Sequence, residues 1–77
     1  MKNGNKDLTI NETFILAVQN HQKNNLKEAQ DFYNQILKID PDHIGTLNNL
    51  GNLFLNLKEY QKAKRCYEKA IEINPNF

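Results

Sequence analysis

The feature that most constrains this chain is that it says nearly the same thing twice. At a separation of thirty-four residues six pairs are identical: Ile10/Ile44, Leu16/Leu50, Ala29/Ala63, Tyr33/Tyr67, Ile39/Ile73 and Pro41/Pro75. Others exchange like for like, such as Ala17/Gly51 and Leu37/Ile71. A period in this range is the mark of stacked supersecondary units, each unable to bury its apolar face alone. The units divide as residues 10–43 and 44–77, after a polar leader over residues 1–8 that is expected to be mobile.

Within each unit the apolar spacing is helical. Thr9-x-x-Glu12 has capping-box spacing, so a first helix is expected from there to about Lys23. Asn24-Asn25 interrupts it, because Asn tolerates the left-handed backbone that ends a helix, and Asn25 is then placed to cap the next one. From Leu26 to Ile39 the residues Leu26, Ala29, Tyr33, Ile36 and Leu37 fall three and four apart, one buried face at a period of 3.6. Asp40-Pro41 stops this second helix. Asp42 is a candidate cap for a third helix, from His43 to about Leu57. A fourth is expected from Glu59 or Tyr60 to about Asn74, with Tyr60, Ala63, Tyr67, Ala70 and Ile71 facing inward and Pro75 closing it. Gly51 and Ala63 are small as a close helix crossing requires. The turn Leu57-Lys58-Glu59 is the weak point of the pattern. Lys is costly in a left-handed turn, and by local propensity Leu53 to Ile73 can also run as one unbroken helix. The fold class expected is all-α, with four antiparallel helices in two tandem helix-turn-helix hairpins.

The pattern resembles the tetratricopeptide repeat, whose units read W-x2-L-G-x2-Y, then A-x3-F, then P. In the second copy Leu47 stands for the Trp, Leu50-Gly51 for Leu-Gly, Phe54 for the Tyr, Ala63 and Tyr67 for Ala and Phe, and Pro75 for the Pro. The first copy departs further, with Thr13 for the Trp, Leu16-Ala17 for Leu-Gly and Asn20 for the aromatic, but keeps Ala29, Tyr33 and Pro41. The resemblance implies a right-handed solenoid fragment and a non-catalytic scaffold for protein–protein interaction. Its ligands usually lie on the concave surface lined by the first helix of each unit.

Composition narrows the partners. A net charge of +1, with Lys and Arg dispersed among Asp and Glu, points away from nucleic acid. No apolar run is long enough to span a bilayer and the N-terminal residues lack the apolar core of a signal peptide, so a soluble cytoplasmic protein is the expectation. Cys66 is alone and His21 and His43 have no ligand-spaced partner, so neither metal, cofactor nor disulfide is expected. No nucleophile-base arrangement or Gly-rich phosphate loop suggests an enzyme. His21 reads as a surface residue near the first turn.

Two surfaces are candidates for recognition. On the third helix Gly45, Asn48, Asn49, Asn52 and Asn56 share one face, a row of amides in a chain with thirteen Asn residues. Asn49 matches the Asn before Leu-Gly by which similar repeats of O-linked sugar transferases grip extended peptide backbone. The plain alternative is a solvated polar face. On the first helix Phe14, Ile15 and Val18 interrupt that row with apolar side chains, more than a terminal helix should leave uncovered. The residues expected to contact a peptide or partner helix are therefore Asn48, Asn49, Asn52, Asn56, Phe14, Ile15 and Val18. The chain stops at Phe77 with no polar capping helix to shield the fourth helix, and stacked repeats normally need about three units. A piece of a longer protein, such as the scaffold end of a glycosyltransferase, is one alternative. Another is a homo-oligomer through Phe14, Val18, Tyr67, Ile71 and Phe77, formed end to end or by a swap at Leu57–Glu59.

Overall fold

The computed structural model describes residues 8–76; the expected leader, apart from Leu8, and Phe77 lie outside them. Four helices follow one another: α1 Ile10–Gln22, α2 Leu26–Ile39, α3 Ile44–Asn56 and α4 Tyr60–Ile73. The period of the sequence is the period of the structure. α3 begins thirty-four residues after α1 and α4 thirty-four after α2. α1 packs on α2 and α3 on α4 as two hairpins, which meet where α3 lies against α2 and touches α1.

Local chemistry sets the helix ends. At the start of α1 the Glu12 amide donates to Thr9 Oγ1 at 3.0 Å and the Thr9 amide to Glu12 Oε1 at 2.9 Å, the reciprocal capping box. Asn24 takes φ 67° beyond α1 and Lys58 takes φ 61° beyond α3. In both turns the amide after the left-handed residue reaches back five positions, Asn25 to the Asn20 carbonyl and Glu59 to the Phe54 carbonyl, each at 2.8 Å. The Asn24 and Lys58 amides close a tighter bond to His21 and Leu55. These are paired Schellman ends, and they settle the Lys58 turn as a closed hairpin, not as the middle of one long helix.

Two expected caps are not formed. Asn25 occupies the N-cap position of α2, but its side chain turns back and donates to Asn20 Oδ1 at 3.3 Å. Asp42 does not cap α3, because Asp40 takes up the linker: its carboxylate accepts from the Asp42 amide at 3.2 Å and its carbonyl from the His43 amide at 3.1 Å. That tight turn makes His43 the last non-helical residue. Its Nδ1 accepts from the Thr46 amide at 3.2 Å.

The core is thin and runs through both hairpins. Ala17, Ala29, Tyr33, Leu50, Leu53, Phe54 and Ala63 are buried together, with Phe14, Leu26, Phe32, Leu37, Cys66 and Tyr67 packed round them. Gly51 is small because the Tyr67 ring lies on it; a Cβ there would stand 2.7 Å from the ring. On α4, Ala63 and Ala70 face inward as expected, but Tyr60 and Ile71 do not, being 61% and 50% exposed. Tyr60 opens the helix beyond the reach of the core, and Ile71 faces a side of α4 that no helix among the described residues covers.

Candidate functional site: the face formed by α1 and α3

The amides of α3 are partly engaged by their own chain. Asn52 Oδ1 accepts from the Tyr67 hydroxyl, and Asn56 Nδ2 meets His21 Nε2 at 3.1 Å. The Tyr33 hydroxyl stands 3.2 Å from His21 Nδ1, with the Asn49 amide beside it. The Asn52 and Asn56 contacts each take up one end of an amide. Asn52 keeps its donor and Asn56 its acceptor, and both residues are exposed. Asn48 and Asn49 are half-buried, so the row is uneven in depth.

The apolar residues of α1 divide. Phe14, expected to want a cover from outside, is half-buried: its ring tilts against Tyr33 with centroids 6.3 Å apart and against His43 at 5.5 Å, with Gly45 alongside. It fills the seam between the hairpins. A Cβ at Gly45 would stand 3.5 Å from the ring, in ordinary contact. Val18 is half-buried as well, while Ile15 stands 56% exposed and is the apolar side chain of this face that remains open.

His21 is the residue that sequence reasoning missed. Far from being a bystander at the first turn, it links three helices: it sits edge-on to the Tyr33 ring of α2 with centroids 6.0 Å apart and meets Asn56 of α3. With the Asn56 amide donating to Nε2, the proton of the neutral ring sits on Nδ1, towards the Tyr33 oxygen. Burial holds the His21 pKa below its ordinary value of 6.5 and pushes that of Tyr33 up, the Asn49 amide partly opposing the latter. A polar residue in the last turn of a helix gives no signal of such a role in the sequence.

Cys66 packs beside the core, and burial raises its pKa, which suits a small hydrophobe better than a nucleophile. The described residues enclose no pocket and gather no group of three metal-ligating side chains. None of their helices is long and apolar enough to cross a membrane. The face is open and shallow, suited to a surface or an extended segment more than to an enclosed small molecule.

Comparison with known families places tetratricopeptide repeat models on both units, over residues 16–43 and 45–77. The chain belongs to the tetratricopeptide repeat family. Among its relatives is the uncharacterized protein ycf37 of Pyropia yezoensis, 38% identical over 48 residues, which are 62% of this chain and 27% of that protein. The protein O-mannosyl-transferase Tmtc3 of Drosophila melanogaster is 36% identical over 59 residues, 77% of this chain and 6% of that one. The TPR repeat-containing protein MJ0941 of Methanocaldococcus jannaschii is 35% identical over 52 residues, 68% of this chain and 15% of the relative. The chain thus spans about a quarter or less of the length of these relatives. Tetratricopeptide repeats are scaffolds for protein–protein interaction, typically without catalysis of their own, and this chain has the architecture of such a scaffold.

Proposed function

We propose that the α1/α3 face holds an extended peptide segment of a partner protein chiefly through its backbone. The observation that supports this is how the amides are held: Tyr67 and His21 take up one end of Asn52 and Asn56, which leaves a donor and an acceptor on two exposed residues one helical turn apart. A turn rises about 5.4 Å, close to the roughly 6.6 Å over which an extended peptide repeats its backbone groups. Amides fixed in advance lose less side-chain entropy on binding. Asn48 and Asn49 extend the row, and Ile15 and Val18 supply the apolar contact beside it. In a longer protein such units would hold a polypeptide while any chemistry sits elsewhere in the chain.

The self-assembling alternative draws on the half-exposed Ile71 of α4. Seating α1 of a second copy there would carry Glu12 and Gln19 into the seam, which weighs against the end-to-end form. A swap needs the Lys58 turn to open, at the loss of its paired closing bonds.

The test is peptide selection from a displayed random library, followed by titration of the recovered peptides. Asn49→Ala with Asn52→Ala should weaken binding at least about tenfold with the helical circular dichroism unchanged, and substitutions along the peptide should matter little. Full affinity in the double variant would remove the amide row as the site.

A further inference from the structure

The two side chains that hold the amides of α3 differ in one respect: only one of them changes its charge near neutral pH. Asn52 is held by the Tyr67 hydroxyl, which keeps its proton, burial raising its pKa above the ordinary value of 10.0. Asn56 is held by His21, with 3.1 Å between Nδ2 and Nε2. Imidazole is the side chain that takes up a proton between about pH 8 and 5.

The two ring nitrogens respond differently to that proton. Nδ1 carries one already in the neutral ring, 3.2 Å from the Tyr33 hydroxyl, and keeps its role when the ring is charged. Nε2 changes from acceptor to donor. Asn56 Nδ2 is a donor too, so a charged ring beside the amide as it stands brings two donors together. Exchanging the two ends of the amide removes the conflict, because Oδ1 then accepts from Nε2. The side chain is free to turn: Asn56 is exposed, and its bond to His21 is the one side-chain bond it makes among the described residues.

The surroundings of His21 leave both forms of the ring within reach. From α2 the titratable group that faces it is Tyr33, edge-on. Lys27, Glu28, Asp31 and Lys38 of that helix are exposed, and Lys27 pairs with Asp31 at 3.6 Å. α3 has no charged residue along its length. Lys23 and Lys58, in the turns after α1 and α3, are exposed, and among the described residues no carboxylate pairs with the ring. Desolvation therefore favours the neutral form with no counter-charge opposing it, while the last turn of α1, where His21 lies, favours a cation.

We propose that His21 is a proton-operated switch on the peptide face: the neutral ring leaves Asn56 offering an acceptor, and the charged ring turns the amide so that it offers a donor. The switch rests on the peptide-binding reading of this face. With Asn52 a donor throughout, the neutral state presents one donor and one acceptor, matching the C=O and N–H groups along an extended backbone, whereas the charged state presents two donors. A peptide N–H opposite Asn56 then has no acceptor. His21 is a positioning residue here, acting through Asn56 and not on the peptide itself. By linkage, bound peptide favours the neutral ring as much as the neutral ring favours peptide.

Two measurements test the switch. The first needs no peptide: in nuclear magnetic resonance spectra of the isotope-labelled full chain, the Asn56 side-chain amide signals should shift with the same midpoint as the His21 ring signals between about pH 8 and 5. Asn56 signals that stay in place while His21 titrates would overturn the switch whatever the face binds. The second uses a peptide recovered at neutral pH from the displayed library, free of His, Asp and Glu and blocked at both ends, at a temperature where circular dichroism shows the chain folded throughout. Its affinity should fall about fivefold from about pH 7.5 to about pH 5. His21→Gln and Asn56→Ala should each flatten this profile, whatever their affinity at neutral pH. A parent affinity independent of pH, or an equal slope in either variant, would overturn the switch. Full affinity of the same peptide for the Asn49→Ala, Asn52→Ala double variant would remove the peptide reading and the binding half of the switch with it, while the ring and amide signals still decide whether the amide turns.

Discussion

His21 shows how much one side chain can hold together in so thin a core. Its ring is bonded as the neutral form, with Nε2 accepting a hydrogen bond from the Asn56 amide, and burial depresses its pKa below 6.5. Between the lowered folded value and the ordinary unfolded one, the unfolded chain binds more protons than the folded chain, so stability rises with pH across that window. The contribution of His21 is therefore present above about pH 6.5 and is lost as pH falls through the folded pKa. Thermal melts from about pH 8 to 5 should show Tm falling as the medium becomes acidic, well before the carboxylates titrate near pH 4. In His21→Gln, which cannot charge, the fall over this window should be smaller. Parallel profiles for the two proteins would mean that the imidazole is not held neutral by the fold.

At the scale of the helix, the two left-handed turns make a natural comparison, one closed by Asn24 and one by Lys58. Asn bears this conformation with a small penalty, whereas Lys pays on the order of 1 kcal/mol relative to Gly. Lys58→Gly should raise Tm by about 4–8 °C, and Asn24→Gly by less, in melts at one protein concentration. A loss of stability at Lys58→Gly would show that the turn is held by side-chain contacts of Lys58 and not limited by its backbone. This turn also marks where sequence reasoning ends. The helix boundaries were legible because the period, the capping box at Thr9 and the two prolines act within a few residues of themselves. The caps at Asn25 and Asp42 were not, because several polar side chains compete for the same amides. Asn20 and Asp40 won through positions set by the whole turn. Tyr60 and Ile71 were misplaced for a related reason: helical period assigns a face, but burial of that face depends on whether a neighbouring helix exists to cover it.

For the whole molecule the decisive contact is the seam between the hairpins, where α3 rests on α2 and reaches α1. The amide row was visible in the sequence as a spacing on one helix. Its division into engaged and unengaged ends was not, since His21 lies thirty-five residues from Asn56 and Tyr67 fifteen from Asn52. Phe14 looked surplus for the same reason, its partners Tyr33 and His43 being brought to it only when the second hairpin folds against the first. Each hairpin buries little by itself, so in a nearest-neighbour description the seam is what makes the two units unfold together. Phe14→Ala removes the ring that bridges them and should cost about 2 kcal/mol, less than a fully buried Phe because the side chain is only half-covered. More telling than the midpoint is the slope of a urea transition, which scales with the surface exposed in one cooperative step. If Phe14 couples the units, the variant should unfold over a broader range with a lower apparent slope, as α1 and α2 let go before α3 and α4. A midpoint that moves with the slope unchanged would place the coupling in the remaining contacts of α2 with α3, and Phe14 would then be a core residue like any other.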